Sequence, residues 1–279
     1  MASARTERID IHATAASYER AFASLEACAD VCNVNKQLIV DFLNACALGK
    51  TVHGREKKRI REKRLHKYLL TLKRINGWLG NEDFRGVTQS QMEAFISRLE
   101  RNALSVGSGE SARSVVYTDW SRRDIKICLK KFYKWLLGGG LQYPPLVTWI
   151  DTYIRDEAPP CLTIEEVRRL ADSCSGLRAR ALVWCLFETG ARVEELLNVR
   201  LLHVEDKGSH LVLRIEHTKT FARSLPEYEG SRYVREWIEK HPSKGESSVQ
   251  LFPMQYAALR KWLQRLSMRA LGKRVTPHL

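Results

Sequence analysis

No stretch of this chain stays apolar for the roughly 20 residues that a membrane-spanning helix needs. Its start, Met1 to Asp10, lacks the apolar core of a signal peptide. Both absences point away from a membrane-spanning or exported protein. Metal-ligand spacing is missing too. Cys28 and Cys32 stand one helical turn apart, but no second Cys/His pair follows, and the seven cysteines are otherwise scattered. Cys128 falls in register with Ile125 and Phe132, as a core thiol would. The expectation is reduced cysteines in a cytoplasmic, nucleoid-associated protein without metal or cofactor. Acid is also scarce. Against 46 Lys and Arg stand 32 Asp and Glu, a formal net charge of +14. Nucleic acid is the usual partner for such an excess, with anionic membrane surface second. The basic helices lack a tryptophan-rich apolar face, which disfavours the membrane surface.

What is present is organised in blocks. With 279 residues and 44% hydrophobic content, the chain can bury two modest cores. Residues 14 to 48 read as two helices, separated at Asn33-Val34-Asn35, within residues 1–54, a helical N-terminal extension or the first part of a helical domain. Residues 55–74 carry ten basic residues against Glu56 and Glu62. Leu65, Tyr68, Leu69, Leu72, Ile75 and Leu79 form a helical stripe beneath that charge, so an amphipathic helix with a basic outer face is predicted. Its candidate polyanion contacts are Arg55, Lys57, Lys58, Arg59, Arg61, Lys63, Arg64 and Lys67; a merely solvated face would repel itself. Thr88-Gln89-Ser90-Gln91 is a capping-box start. A helix opening near Ser121 places Ile125, Cys128, Leu129, Phe132 and Leu136 inward, with Arg122, Arg123, Lys126 and Lys130 as further contacts. Residues 141–161 hold four of the eight prolines and read as a linker. Thr163-Ile164-Glu165-Glu166 is a second capping box. A strand over His210–His217, a return strand over Phe221–Leu225, and helices over 232–240 and 254–271 follow. The last helix shows Arg260 and Lys261 outward, and no acid lies between Gln255 and Arg274.

The centre of the chain is Phe187-Glu188-Thr189-Gly190-Ala191-Arg192-Val193-Glu194-Glu195-Leu196-Leu197. Apolar residues at helical spacing precede Gly190, a second short apolar face follows it, and Arg192 sits at the elbow between them. Downstream come Lys219 in His217-Thr218-Lys219-Thr220 and then Thr276-Pro277-His278-Leu279. An arginine at a helix elbow, a strand lysine and a Pro-His-Leu box, in that order, resemble the catalytic half of the tyrosine recombinase (phage integrase) family. The helices over 55–140, ending on Phe132 and Trp135, are similar to that family's core-binding domain. The fold so implied is mainly α with a small β-sheet (α+β): a core-binding domain over 55–140, then a catalytic domain over 162–279.

The resemblance implies roles. Arg192 fits the arginine that neutralises charge on the scissile phosphate, and Glu195 the acid that supports it. Lys219 fits the strand lysine that protonates the leaving oxygen, and His278 the histidine of the His-x-x-Arg box. Guanidinium suits the first task because its planar fork bonds two phosphate oxygens and stays charged at any working pH. The box arginine would fall at position 281 and the nucleophilic tyrosine beyond it, so no tyrosine of this chain receives the nucleophile role. The expectation is a catalytic domain incomplete at its C-terminus, unable to cleave DNA as given, with apolar surface exposed near Leu182, Leu186 and the Trp262 helix. Duplex DNA is the implied partner, and a tetrameric homo-oligomer the family's assembly. Two other readings stay open: a non-catalytic DNA-binding protein derived from a recombinase, and a basic helical protein of another class.

Overall fold

The structure, a computed structural model, describes residues 7, 9–11, 13–51, 59–107, 113–138, 141–155, 161–216, 218 and 221–277. It divides into two compact units: Ala13–Asp156, and Glu157–Leu279 together with Met1–His12.

The first unit is helical. Helices α1 (Thr14–Glu26), α2 (Asn33–Ala47), α3 (Glu62–Trp78), α4 (Gln89–Glu100), α5 (Asp119–Leu136) and the single turn α6 (Pro145–Thr148) surround one core. The predicted stripe of α3 is buried at every position from Leu65 to Leu79, because its period matches 3.6 residues and its neighbours are equally apolar. Thr88 caps α4 with the expected reciprocal box: its hydroxyl accepts from the Gln91 N–H, and Gln91 Oε1 accepts from the Thr88 N–H. In α5 the cap falls earlier than predicted, at Thr118, and Tyr133 joins the inward face while Leu136 is half-buried. Phe132 meets Phe42 at 5.3 Å and Phe84 at 4.9 Å between ring centres, both edge to face. Of the two sequence readings of residues 14–47, an extension or the first part of a helical domain, the second fits, since they share one core with α3–α5. Asn33-Val34-Asn35, expected as a separator, is instead the first turn of α2. Two-residue strands β1 (Ser105–Val106) and β2 (Arg113–Ser114) pair antiparallel.

A buried polar junction locks α2 to α3. Asn35 Nδ2 donates to Asn76 Oδ1 at 2.6 Å and to the Glu82 carbonyl at 2.7 Å, and Asn35 Oδ1 accepts from the Phe84 N–H at 3.0 Å. Replacing Asn35 by alanine strands several buried groups at once. Asn35→Ala is expected to cost about 2 kcal/mol, read as a lowered urea midpoint at constant slope.

The second unit mixes helices with a three-stranded antiparallel sheet. Helices α7 (Ile164–Asp172), α8 (Leu177–Glu188), α9 (Val193–Leu196), α10 (Ser231–Glu239) and α11 (Tyr256–Leu271) pack with strands β3 (Val204–Asp206), β4 (Leu211–Ile215) and β5 (Arg223–Glu227), in order β3-β4-β5. The Thr163 capping box of α7 forms as expected. The return strand runs two residues later than predicted, and its register puts Arg223 opposite Ile215 and Glu227 opposite Leu211. Along β5, Arg223, Leu225 and Glu227 turn inward while Ser224 and Pro226 face out. Pro226 is tolerated because β5 is an edge strand.

A second element of this unit comes from the chain's beginning. The backbone of Ile9 exchanges hydrogen bonds with the Asn198 side chain, whose Oδ1 accepts from the Ile9 N–H at 2.7 Å. Arg200 Nη2 donates to the Glu7 carbonyl at 2.6 Å, and the Tyr256 N–H donates to the Ile11 carbonyl at 3.2 Å. Ile11 is buried among Leu182, Leu196, Leu197 and Leu259 of the core cluster.

The apolar surface expected near Leu182, Leu186 and the Trp262 helix is partly there. Leu182 is buried and Trp262 half-buried. Leu186 and Phe187 line a shallow apolar groove with Val167, Leu263, Val275 and Pro277.

Candidate active site

The elbow is built from local chemistry. α8 ends at Glu188, the Thr189 hydroxyl donates to the Cys185 carbonyl and accepts from the Ala191 N–H at 3.2 Å, and Gly190 takes φ 54°. That left-handed backbone favours glycine. The chain then re-enters a helix at α9, with Arg192 at its cap and Glu195 reaching back to accept from the Arg192 N–H at 3.0 Å. Val193, Leu196 and Leu197 are buried beneath it.

Arg192 and Glu195, paired from sequence, are in contact: Arg192 Nη1 donates to Glu195 Oε1 at 3.0 Å. Their exposures differ sharply. The Glu195 side chain is 3% exposed and that of Arg192 52%, so the carboxylate is a buried brace and the guanidinium a surface group.

A third member was missed by the sequence reading. Arg223, the first residue of β5, lays its fork across the same carboxylate, Nη2 to Oε2 at 2.7 Å and Nη1 to Oε1 at 3.4 Å. Burial pushes the Glu195 carboxyl up, but hydrogen bonds from Arg223 and from the backbone and side chain of Arg192 outweigh it and hold the group below its ordinary value. Two guanidinium groups thus share one buried carboxylate, and the cluster keeps a net positive charge.

Lys219 and His278 lie outside the described residues. The chain leaves β4 at Glu216, whose carboxylate is buried against His203 Nε2 at 3.3 Å. The Thr218 hydroxyl donates to the Phe221 carbonyl at 2.9 Å. Thr276 and Pro277, just before His278, border the groove below Phe187.

Among the predicted basic contacts, Arg55, Lys57 and Lys58 also fall outside the described residues. Arg59, Arg61, Lys63 and Arg64 are exposed at the start of α3, and Arg260 and Lys261 on α11. Others are partly committed to the protein. Lys67 pairs with Asp124, Arg122 with Asp119 and with Glu100 at 3.5 Å, and Lys126 with Glu100. Arg123 Nε donates to the Thr152 carbonyl at 3.0 Å, and Lys130 Nζ to that of Ile150 at 2.7 Å. Free thiols are found at all seven cysteines, four of them buried. Among the described residues no helix is long and apolar enough to cross a membrane, and no group of three or more metal-ligating side chains occurs.

Comparison with solved structures fits this architecture to known ones. Lambda integrase residues 75–356 bound to DNA matches with a TM-score of 0.60 at 16% identity, over 86% of this chain and 82% of that one. The fold is that of integrases. A lambda integrase dimer bound to a COC' core site gives 0.61 at 16%, over 86% and 66%. The XerH site-specific recombinase on palindromic difH substrate, in a post-cleavage complex, gives 0.57 at 14%, over 98% and 85%. Models of protein families give no match to this sequence, and neither do curated protein sequences. These identities carry fold and no further.

Proposed function

We propose that this chain is a tyrosine-recombinase-type protein that binds duplex DNA at recombination sites and sets Arg192 against a backbone phosphate. The observation that carries this reading is the exposed Arg192 guanidinium, held by buried Glu195 at a rigid helix elbow, within a fold shared with DNA-bound integrases. Its contact with Glu195 uses one Nη1 hydrogen, which leaves the rest of the fork for phosphate oxygens. Lys219 would protonate the leaving 5′-oxygen. His278 would take the place of the box histidine. The exposed bases at the start of α3 and along α11 supply the sequence-independent electrostatic term.

No tyrosine among residues 1–279 is given the nucleophile role, and the covalent step forms no part of this proposal. Tetrameric assembly belongs to the same proposal. The second reading, a non-catalytic DNA-binding protein acting at recombination sites or in regulation, shares every binding prediction.

Two assays separate the readings. Duplex binding by residues 1–279 should weaken steeply with salt, and nicked duplex should trap no covalent adduct. Absence of salt-dependent binding would remove the DNA reading altogether, and an adduct would remove the non-cleaving one. In a polypeptide that continues into the box arginine and tyrosine, Arg192→Ala is expected to slow cleavage by about 10²–10³-fold. Unchanged cleavage there would leave only the non-catalytic reading.

A further inference from the structure

We propose that Arg223 is a second phosphate-binding arginine of this site, acting with Arg192 on one phosphodiester while Glu195 holds both guanidinium groups. The proposal rests on the reading of Arg192 as a phosphate contact.

Charge is the first argument. Arg192, Arg223 and Glu195 together carry one net positive charge, which a single phosphodiester would neutralise. If Arg223 served only to balance a buried carboxylate, one fork would suffice: it covers both oxygens of Glu195, and the Arg192 backbone N–H adds a third bond. The Arg192 side chain is then surplus to the brace, yet it is tied to the same carboxylate. The arrangement instead sets two cations side by side, each one hydrogen bond from a common anion.

Access is the second argument. The Arg223 side chain is 26% exposed although its partner is only 3% exposed, so it is not sealed in with the carboxylate it holds. Its bonds to Glu195 engage two of the five N–H groups that the fork offers. Rigidity is the third. Arg223 is fixed in the β4–β5 ladder opposite Ile215, and Arg192 is fixed by the α8–α9 elbow, so two independent elements aim at one point. Donors held in place before a charge arrives need no reorganisation when it does.

The test is the salt dependence of duplex binding by the full chain, with a labelled duplex as probe. Each phosphate contact contributes about 0.9 to the slope of log K against log salt. Arg223→Ala and Arg192→Ala should each reduce that slope by about 0.9, and Arg223→Lys should restore most of it. Because Arg223→Ala leaves a buried carboxylate half-paired, the same comparison is made in a Glu195→Gln background, where no charge is stranded. Thermal melting confirms that each variant is folded. A slope lowered by Arg192→Ala but unchanged by Arg223→Ala in both backgrounds would overturn this inference and leave the Arg192 reading standing. If neither variant moves the slope, the phosphate reading of the whole site falls, and this inference with it.

Discussion

Ile11→Asp is expected to destabilise the second unit by at least about 4 kcal/mol, because it puts an unpaired charge into a dry core and removes an anchoring side chain. Ile11 is 2% exposed. It is held by residues far along the chain: Tyr256 donates to its carbonyl, and two residues before it Ile9 is clasped by Asn198. Asn198 lies two residues past α9 and donates to the Glu194 carbonyl within it, so this short segment supports the floor beneath the Arg192 elbow. Ile11→Val, which keeps the shape and loses one methyl, should cost about 1 kcal/mol. Hydrogen exchange of the α8 and α11 amides measures both. The Asp variant should raise exchange throughout 162–277 and leave α2–α5 protected. Equal protection in the two proteins would show that residues 7–11 lie on the unit without holding it.

That dependence was invisible in the sequence for a physical reason. Residues 9–11 are too few to show a period, and the side chains of Ile9 and Ile11 join a core built by residues 181–259. Periodicity reports only faces that repeat within one element. Where elements repeat, the sequence was readable. The α3 stripe, both capping boxes and the inward face of α11 stand where spacing put them. The Arg192–Glu195 pair was also legible, being three residues apart on one turn. Arg223 was not, because its partner lies 28 residues away and the strand was placed two residues early. With the register corrected, the signal is plain: in Arg-Ser-Leu-Pro-Glu the charged residues fall on the core-facing positions. A charge at such a position needs a partner or a proton. Arg223 finds Glu195. Glu227, at the other end of the strand, takes the second course.

Glu227 is fully buried, and neither of its carboxyl oxygens has a hydrogen-bond partner among the described residues. Burial first, and then the adjacent Glu188 carboxylate, push its pKa up to about 9. Glu227 Oε1 packs closely on Gly230, where an added Cβ would sit 1.9 Å from it. Glu188 is better served, accepting from the N–H groups of Tyr228 at 2.8 Å, Glu229 at 2.9 Å and Gly230 at 3.3 Å. Glu227 is thereby favoured in its neutral form around neutral pH, beside Glu188 at the end of α8. The consequence for stability has a definite sign. Unfolded, Glu227 ionises near its ordinary value of 4.5, while folded it keeps its proton to about 9. Between those values the folded state binds the extra proton, so this contribution is complete below pH 4.5 and is lost as pH rises through 9, at a rate of at most about 1.4 kcal/mol per pH unit. Glu227→Gln retains the shape and a donor toward Glu188 but has no proton to lose. Its stability relative to the parent should therefore rise steadily from pH 6 to pH 9, read from urea midpoints at each pH. Parallel pH profiles for the two proteins would mean that Glu227 is ionised in the fold and balanced by a cation. The carboxyl pair ends where the Thr189-Gly190-Ala191 turn begins, so ionising Glu227 should also loosen the elbow that aims Arg192. Duplex binding by the parent should then weaken between pH 8 and pH 9.5 more than binding by Glu227→Gln does.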